Sequence, residues 1–543
     1  MKTQVVGLLL ILIIFLGVFL RLYKLNTNFL FGSDQSEDIY SVKELFKTVA
    51  SGDFSKLPII GEAGTYLVDE NIPVSNYRVY SGVFFIYLLL PVGVITSFNP
   101  AGMVSFFAIV NIISIFVIYL IGKNLFNTKT GLIAAFLFST SHFMNVYSRA
   151  IWTPSLVPAF VVFALYLFVL IKSNNKLWLW PIFLFLTSAM SQIHDSGYYY
   201  MGLFLLIILF LKPKSPETVL KKIVSVIAFL VPIIPTIIYE FQTRFDLFPR
   251  ILKAFFYQFG LLNVSDSNKS FLYLISGILQ KFWQFWITTI DPLHTFPYYE
   301  ARIGLHYTLL MWAFNIVGIL SLVFVFLYKR LEINGKSNIF DKIFKVFLIT
   351  FLPIPFVAGV YYSYTHPWLS PLNGPTFSLI GAMPLVIIII SAFLGFLWSK
   401  GNILPFLVMI FLFFYGTINI VLVNNSILKN EDRKYDYGEK AQVAKFISQN
   451  SEGKKYDLSI DSPLVYANGA EFLYLIEYNR SLPPVSLNGM TTYVTFSKEY
   501  RFSGGKSDLS YLILGKTNPH EIDEGSVKVF ETNLFRVYKK VLN

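Results

Sequence analysis

The chain opens on an apolar run, VVGLLLILIIFLGVFL (residues 5–20), closed by Arg21 and Lys24. Ten residues later it turns acidic, GSDQSED (residues 32–38). A cleaved signal peptide ends in small residues before its cleavage site. Here bulky Phe19 and Leu20 lead straight into Arg21. The run therefore reads as an uncleaved first span with its amino end in the cytoplasm, and the acidic stretch then lies just outside the membrane.

Composition extends this reading along the chain. Of 543 residues, 55% are hydrophobic and 14% charged, and the mean hydropathy is +0.58. Soluble chains carry roughly 25% charged residues, so a single soluble fold is excluded. Apolar segments follow the first span at 79–98, 101–121, 131–146, 154–172, 177–192, 198–211, 219–239, 307–328, 343–361, 376–398 and 403–423. If each segment from 154 onward crosses once, Lys172 and Lys176, the lysines at 212–222, the basic residues at 329–345 and Lys400 all fall on one side. That is the positive-inside pattern. It puts 192–199, the long loop 240–302, the turn 362–375 and everything after Asn424 on the outer side. Between 79 and 150 three apolar segments must make an even number of crossings, so one of them lies along the surface or re-enters. The expectation is a mainly α polytopic transmembrane bundle of about eleven to thirteen spans, multi-pass in the plasma (inner) membrane.

The tail differs. Residues 425–543 hold 16 basic and 15 acidic side chains, an ordinary soluble balance. Helical patterning at 438–449 and 469–477, and strand patterning at 457–460, 511–514 and 535–539, predict a small α/β extramembrane domain. The expected organisation is a transmembrane domain over 1–424, with a first outer loop over 23–78, and an extracytoplasmic domain over 425–543.

The net charge of +12 is accounted for by cytoplasmic loops. No basic face with interleaved aromatics points to nucleic acid. There is no cysteine, which excludes disulfides, thiolate metal sites and thiol catalysis. No P-loop, dinucleotide fingerprint or serine elbow occurs. The cytoplasmic connections are too short to bind a nucleotide-activated donor, so an enzyme of this kind would work outside on a lipid-linked donor.

Four stretches could carry chemistry. Asp34, Glu37 and Asp38 put three carboxylates within five residues at the membrane face, with Gln35 between them; such groups are costly there unless paired, hydrated or used. A helix beginning near Ser36 would set Asp34 and Asp38 on one side. Equally, Ser33 or Asp34 could simply cap that helix. In YSRAIWTPS (147–155), Arg149 suits a phosphate, while Trp152 and Pro154 also suit an interfacial anchor and a helix start. In QIHD (192–195), Gln192 and His194 end a span on the outer side, with no second ligand at metal spacing. YTHPW (364–368) adds His366 in another outer turn.

Taken in order, these motifs resemble the GT-C superfamily of membrane glycosyltransferases. The nearest are bacterial relatives of the protein mannosyltransferases and aminoarabinose transferases, the family 39 or PMT_2 type. The resemblance rests on Asp34-Gln35-Ser36-Glu37-Asp38, on LPIIG (57–61), on YSGVFFIY (80–87), on Ser148-Arg149-Ala150-Ile151-Trp152-Thr153-Pro154-Ser155 and on Gln192-Ile193-His194. The widespread form pairs Asp with Glu where Gln35 stands, and many relatives carry an acidic residue where Thr153 or Pro154 stands. The resemblance implies an inverting transferase moving a sugar from a polyprenyl-phosphate donor to a lipid, glycan or protein acceptor on the outer face. It implies membrane lipid as a partner, no nucleic acid, and no cofactor, with dependence on a divalent metal left open. Asp34 would be the general base, with Asp38 beside it. Gln35, Glu37, Arg78, Arg149, Trp152, Gln192, His194 and His366 would line the substrate. A lipid-saccharide flippase or a non-catalytic scaffold would instead show intramembrane charges and matched broken helices, or no outer carboxylate cluster.

Overall fold

The computed structural model describes residues 3–61, 82–194, 196–246, 305–327, 380–429, 436–451, 453–461, 469–479, 484–488, 506–516 and 525–542, with short pieces at 63–64, 79–80, 249, 343–347, 492–494 and 499–501. Arg78, His366, most of the loop 240–302 and most of the expected segment 343–361 lie outside the described residues.

The first span is α1 (Thr3–Leu22). It is followed by α2 (Ser33–Ser51), which begins three residues earlier than the acidic pattern suggests. Gln35 is the reason: its Oε1 accepts from the Gly32 N–H at 2.8 Å, so Gly32 becomes the cap and the helix starts at once. Gly52 ends α2 in the left-handed region, at φ 73°, as a closing glycine does. Strands β1 (Ala63–Gly64) and β2 (Val79–Tyr80) pair antiparallel before α3 (Phe84–Ile95).

At twelve residues α3 is about 18 Å long, well short of the roughly 30 Å of hydrocarbon. It packs on α2, and Tyr87 donates to the Pro58 carbonyl at 2.9 Å. Of the three apolar segments between 79 and 150, only the second, Pro100–Leu125, is long enough to cross by itself; the first and third, at 12 and 13 residues, are both short. Asn99 then caps α4 (Pro100–Leu125), accepting from the Ala101 and Gly102 N–H groups. α4 pairs with α5 (Thr128–Thr140), which breaks at Ser141 into α6 (His142–Tyr147). A methyl group at Gly122 would sit 2.8 Å from the Gly131 Cα, so two glycines let these helices touch backbone to backbone.

The bundle continues with α7 (Val157–Asn174), α8 (Trp180–Ser191), α9 (Gly197–Leu211), α10 (Val219–Leu230), α11 (Ile234–Gln242), α12 (Leu305–Leu327), α13 (Met383–Trp398) and α14 (Leu404–Leu422). Among the described residues, five helices are long and apolar enough to cross a membrane: Thr3–Leu22, Pro100–Leu125, Thr153–Asn174, Ile380–Trp398 and Leu404–Leu428. The pair α10–α11, bent by 62° beside Pro232 and Pro235, makes a sixth. Phe84–Ile95, Leu177–Ser191, Gly197–Leu211 and Ala313–Leu327 are shorter apolar helices. The protein is an integral membrane protein, mainly helical. The expected eleven to thirteen spans include these shorter helices and segments outside the described residues.

The tail carries α15 (Tyr437–Asn450) and α16 (Ala470–Tyr478) beside a five-stranded sheet. Its strands are β3 (Tyr456–Asp461), β4 (Ser486–Leu487), β7 (Leu509–Gly515), β8 (Val527–Glu531) and β9 (Phe535–Val541), in the order β4-β3-β7-β9-β8. β3 is parallel to β4 and β7, and β9 is antiparallel to β7 and β8. A separate pair joins β5 (Thr492–Val494) and β6 (Glu499–Arg501). Leu509, Tyr511 and Ile513 alternate into the core, as the sequence pattern predicts.

Candidate active site

Asp34 stands in the first turn of α2, where the helix dipole favours an anion. The residue is exposed to solvent, yet burial is the main force on the acidity of its carboxyl, pushing it above the ordinary carboxylate range. Glu471 on α16 pushes the same way by repulsion, against the Asp34 N–H, which lowers it. Solvent thus reaches the residue, while protein surrounds its carboxyl closely enough to make the charge costly. Such a group is open to a substrate and basic enough to take a proton.

The rest of the acidic motif is inward. Gln35 (4% exposed), Glu37 and Asp38 (2%) are buried, Gln35 through the helix cap. Asp34 and Asp38 lie one turn apart on the same helix, with Asp34 outermost.

Arg149, expected to meet a phosphate, is fully buried. Its Nη1 donates to the Asn28 carbonyl at 2.8 Å, and its Nη2 to the Leu20 and Tyr23 carbonyls at 3.2 and 2.5 Å. These carbonyls close α1 and begin the connection to α2. In addition, the Leu30 N–H donates to the Arg149 carbonyl at 3.1 Å, in a parallel bridge of Leu30 with Ala150. The terminal guanidinium nitrogens thus serve main-chain oxygens, the contacts an anchor makes. Arg21 does the same for α5, donating to the Phe138 and Ser139 carbonyls at 3.1 and 3.0 Å. Trp152, half-buried, stacks on Tyr147 with ring centroids 6.0 Å apart.

Gln192 and His194 form the corner between α8 and α9. Gln192 is buried; Thr236 on α11 donates to its Oε1 at 2.6 Å, and its Nε2 faces the Tyr198 hydroxyl at 3.3 Å. A side chain at Gly82 would overlap Gln192, so the start of α3 docks on this corner. His194 Nδ1 accepts from the Ser196 N–H at 3.1 Å, which puts the proton of a neutral ring on Nε2. Among the described residues no three His, Asp or Glu side chains gather to hold a metal ion.

The sequence reading missed a buried ionic cluster beneath Asp34. Lys440 on α15 lies 3.0 Å from Asp436 and 3.2 Å from Glu471, and donates to the Phe31 carbonyl at 2.8 Å. The one sequence signal was the i,i+4 spacing of Asp436 and Lys440, which ordinarily marks a solvated helix face.

The family model described as dolichyl-phosphate-mannose-protein mannosyltransferase, PMT_2, matches residues 83–239. Among curated proteins there is no match. Among solved structures, an Archaeoglobus fulgidus oligosaccharyltransferase crystallised with zinc and sulfate is 13% identical with a TM-score of 0.47, covering 93% of this chain and 68% of that one. AglB from the same organism, with an inhibitory peptide and a dolichol-phosphate, is 14% identical with a TM-score of 0.47, covering 89% of this chain and 64% of that one. ArnT from Cupriavidus metallidurans, bound to undecaprenyl phosphate, is 10% identical with a TM-score of 0.43, covering 100% and 99%. The chain thus spans about two thirds of the length of the archaeal oligosaccharyltransferases. Over residues 83–239 it is similar to the PMT_2-type glycosyltransferases, the GT-C resemblance its outer-loop motifs also carry.

Proposed function

We propose that this membrane protein is an inverting glycosyltransferase that moves a sugar from a polyprenyl-phosphate carrier to an acceptor hydroxyl on the outer face of the plasma membrane. The observation that carries this reading is Asp34, a solvent-exposed residue whose carboxyl is made more basic by the protein around it. The similarity of 83–239 to dolichyl-phosphate-mannose-protein mannosyltransferases supplies the donor class. The lipid phosphates named with AglB and ArnT are of the same chemical kind.

In the reaction, Asp34 takes the proton of the acceptor hydroxyl. The acceptor oxygen attacks the anomeric carbon as the bond from that carbon to the phosphate oxygen breaks. The lipid phosphate leaves with the electron pair, and the anomeric configuration inverts. Asp38, buried one turn further along α2, positions Asp34. Arg78, outside the described residues, is the proposed cation for the departing phosphate. Arg149 holds the loop rather than the phosphate. Trp152 and the Gln192–His194 corner line the sugar or acceptor side, and His366 is assigned there from the sequence alone. The tail, over 425–543, lies on the same outer side.

The test is to incubate the purified protein with a panel of polyprenyl-phosphate sugars and follow transfer or slow donor hydrolysis. Turnover that disappears in Asp34→Asn supports the reading. No turnover of any donor, or turnover unchanged in Asp34→Asn, rejects it.

A further inference from the structure

We propose that the buried Asp436–Lys440–Glu471 cluster of the tail is a positioning device for the candidate active site: Lys440 fixes the main chain three residues before Asp34, and Glu471 sets a carboxylate against the Asp34 carboxyl. The proposal rests on the reading of Asp34 as the base.

The Lys440 ammonium has three donors, and three oxygens meet it: Asp436 at 3.0 Å, Glu471 at 3.2 Å and the Phe31 carbonyl at 2.8 Å. All three side chains are nearly inaccessible to solvent. Aromatic packing holds the same segment. Tyr437 stacks on Phe29 with centroids 4.3 Å apart and meets Phe31 edge-on at 5.4 Å; Tyr474 meets Phe31 at 6.1 Å. The Gly438 N–H donates to the Thr27 carbonyl at 2.9 Å. Residues 27–31, the lead into α2, are thereby gripped by α15 and α16.

A buried ionic cluster is a poor device for net stability and a good one for orientation. This one leaves two carboxylates facing one ammonium. Burial pulls the Lys440 ammonium towards neutrality, but Glu471 and Asp436 outweigh it and hold it charged above its ordinary range. Among the described residues, the charged groups on the elements around Asp34 include these, with the tyrosines Tyr40, Tyr437 and Tyr474 beside them. On α2 they are Glu37 and Asp38; on α16 Glu471, and Glu477 further along, tied to Tyr40 and Lys43; on α15 Asp436 and Lys440. Helix α3 carries no charged side chain, and its one titratable group, Tyr87, donates to the Pro58 carbonyl. Arg21 and Arg149 direct their guanidinium groups to main-chain carbonyls. Helix α16, which carries Glu471, packs directly on α2, and Glu471 is the group whose repulsion bears on Asp34 after burial itself.

The experiment uses the full chain in detergent micelles and two readouts independent of turnover. Carbodiimide labels only protonated carboxyls, so mass-mapped labelling of Asp34 against pH reads its acidity directly. Glu471→Gln is expected to move the half-labelling pH of Asp34 down by about half a unit or more. Amide hydrogen exchange over residues 30–38 reads the grip on the loop. Lys440→Met is expected to speed it about tenfold, the loss of one charge-assisted hydrogen bond. Where Lys440→Met does not fold, the neutral triple variant Asp436→Asn, Lys440→Met, Glu471→Gln gives the same readout. An unmoved Asp34 labelling curve together with unchanged exchange overturns the proposal. Shifted labelling and exchange in a protein that turns over no donor keep the positioning device and reject the glycosyltransferase reading instead.

Discussion

The Arg149 Nη2 donates to the Tyr23 carbonyl at 2.5 Å, joining the end of the first span to a segment 126 positions later. With the bonds to Leu20 and Asn28, it makes Arg149 a cation at the carboxyl end of α1, where the helix dipole is negative. Arg149→Ala removes these bonds and leaves buried carbonyls without donors. The expected result is a loss of stability on the order of 3 kcal/mol, read as a lower unfolding temperature in detergent. Arg149→Lys should recover part of it. A variant that unfolds as the wild type does, but no longer binds the donor, would return Arg149 to the phosphate.

Asp34→Asn keeps the size and the helix start but cannot accept a proton. Because Asp34 is solvent-accessible and makes no ion pair among the described residues, the fold should be unaffected. Transfer should fall about 10²–10⁴-fold, the usual contribution of a positioned base. Asp38→Asn, altering a buried neighbour, should slow turnover less and cost stability as well. Comparing both variants for turnover and unfolding separates the two roles.

How far the sequence led depends on the range of the interaction. The spans, α2 and the tail's helices follow local periodicity, so they were legible. Strand β8 was not, because VKVFE (527–531) is an edge strand with charges outward and little alternation to read. The start of α2 was misplaced because Gln35 reads as a substitute in an acidic motif rather than as the closing half of a helix cap. Arg149 could be weighed as anchor or phosphate ligand, but only contact with Leu20, Tyr23 and Asn28 distinguishes them. Lys440 and Phe31 are 409 positions apart, and no local pattern announces that pairing.

The pH dependence of turnover should carry the mark of Asp34. A base acts only when deprotonated, so activity falls as pH falls through its folded value. Burial, then Glu471, raises that value above the ordinary carboxylate range. The acid limb should therefore begin at a higher pH than a free aspartate allows, and Glu471→Gln should move it down. A limb that Glu471→Gln leaves in place would detach it from Asp34.

Stability should depend on pH through Asp436. Burial pushes its carboxyl from 3.8 up to about 7, against the attraction of Lys440. The folded protein therefore binds this proton more tightly than the unfolded chain does. The stabilisation this gives is complete below about pH 4 and is lost as pH rises through about 7. Each pH unit between the two values corresponds to about 1.4 kcal/mol. Lys440, whose ordinary value lies far above that window and, against burial, is raised further, chiefly by Glu471, contributes no opposing change in it. Asp436→Asn carries no such proton, so the gap in unfolding temperature between wild type and Asp436→Asn should move against the wild type from pH 5 to pH 8. A gap that stays constant would mean that Asp436 is already ionised at pH 5, and that Lys440 outweighs burial.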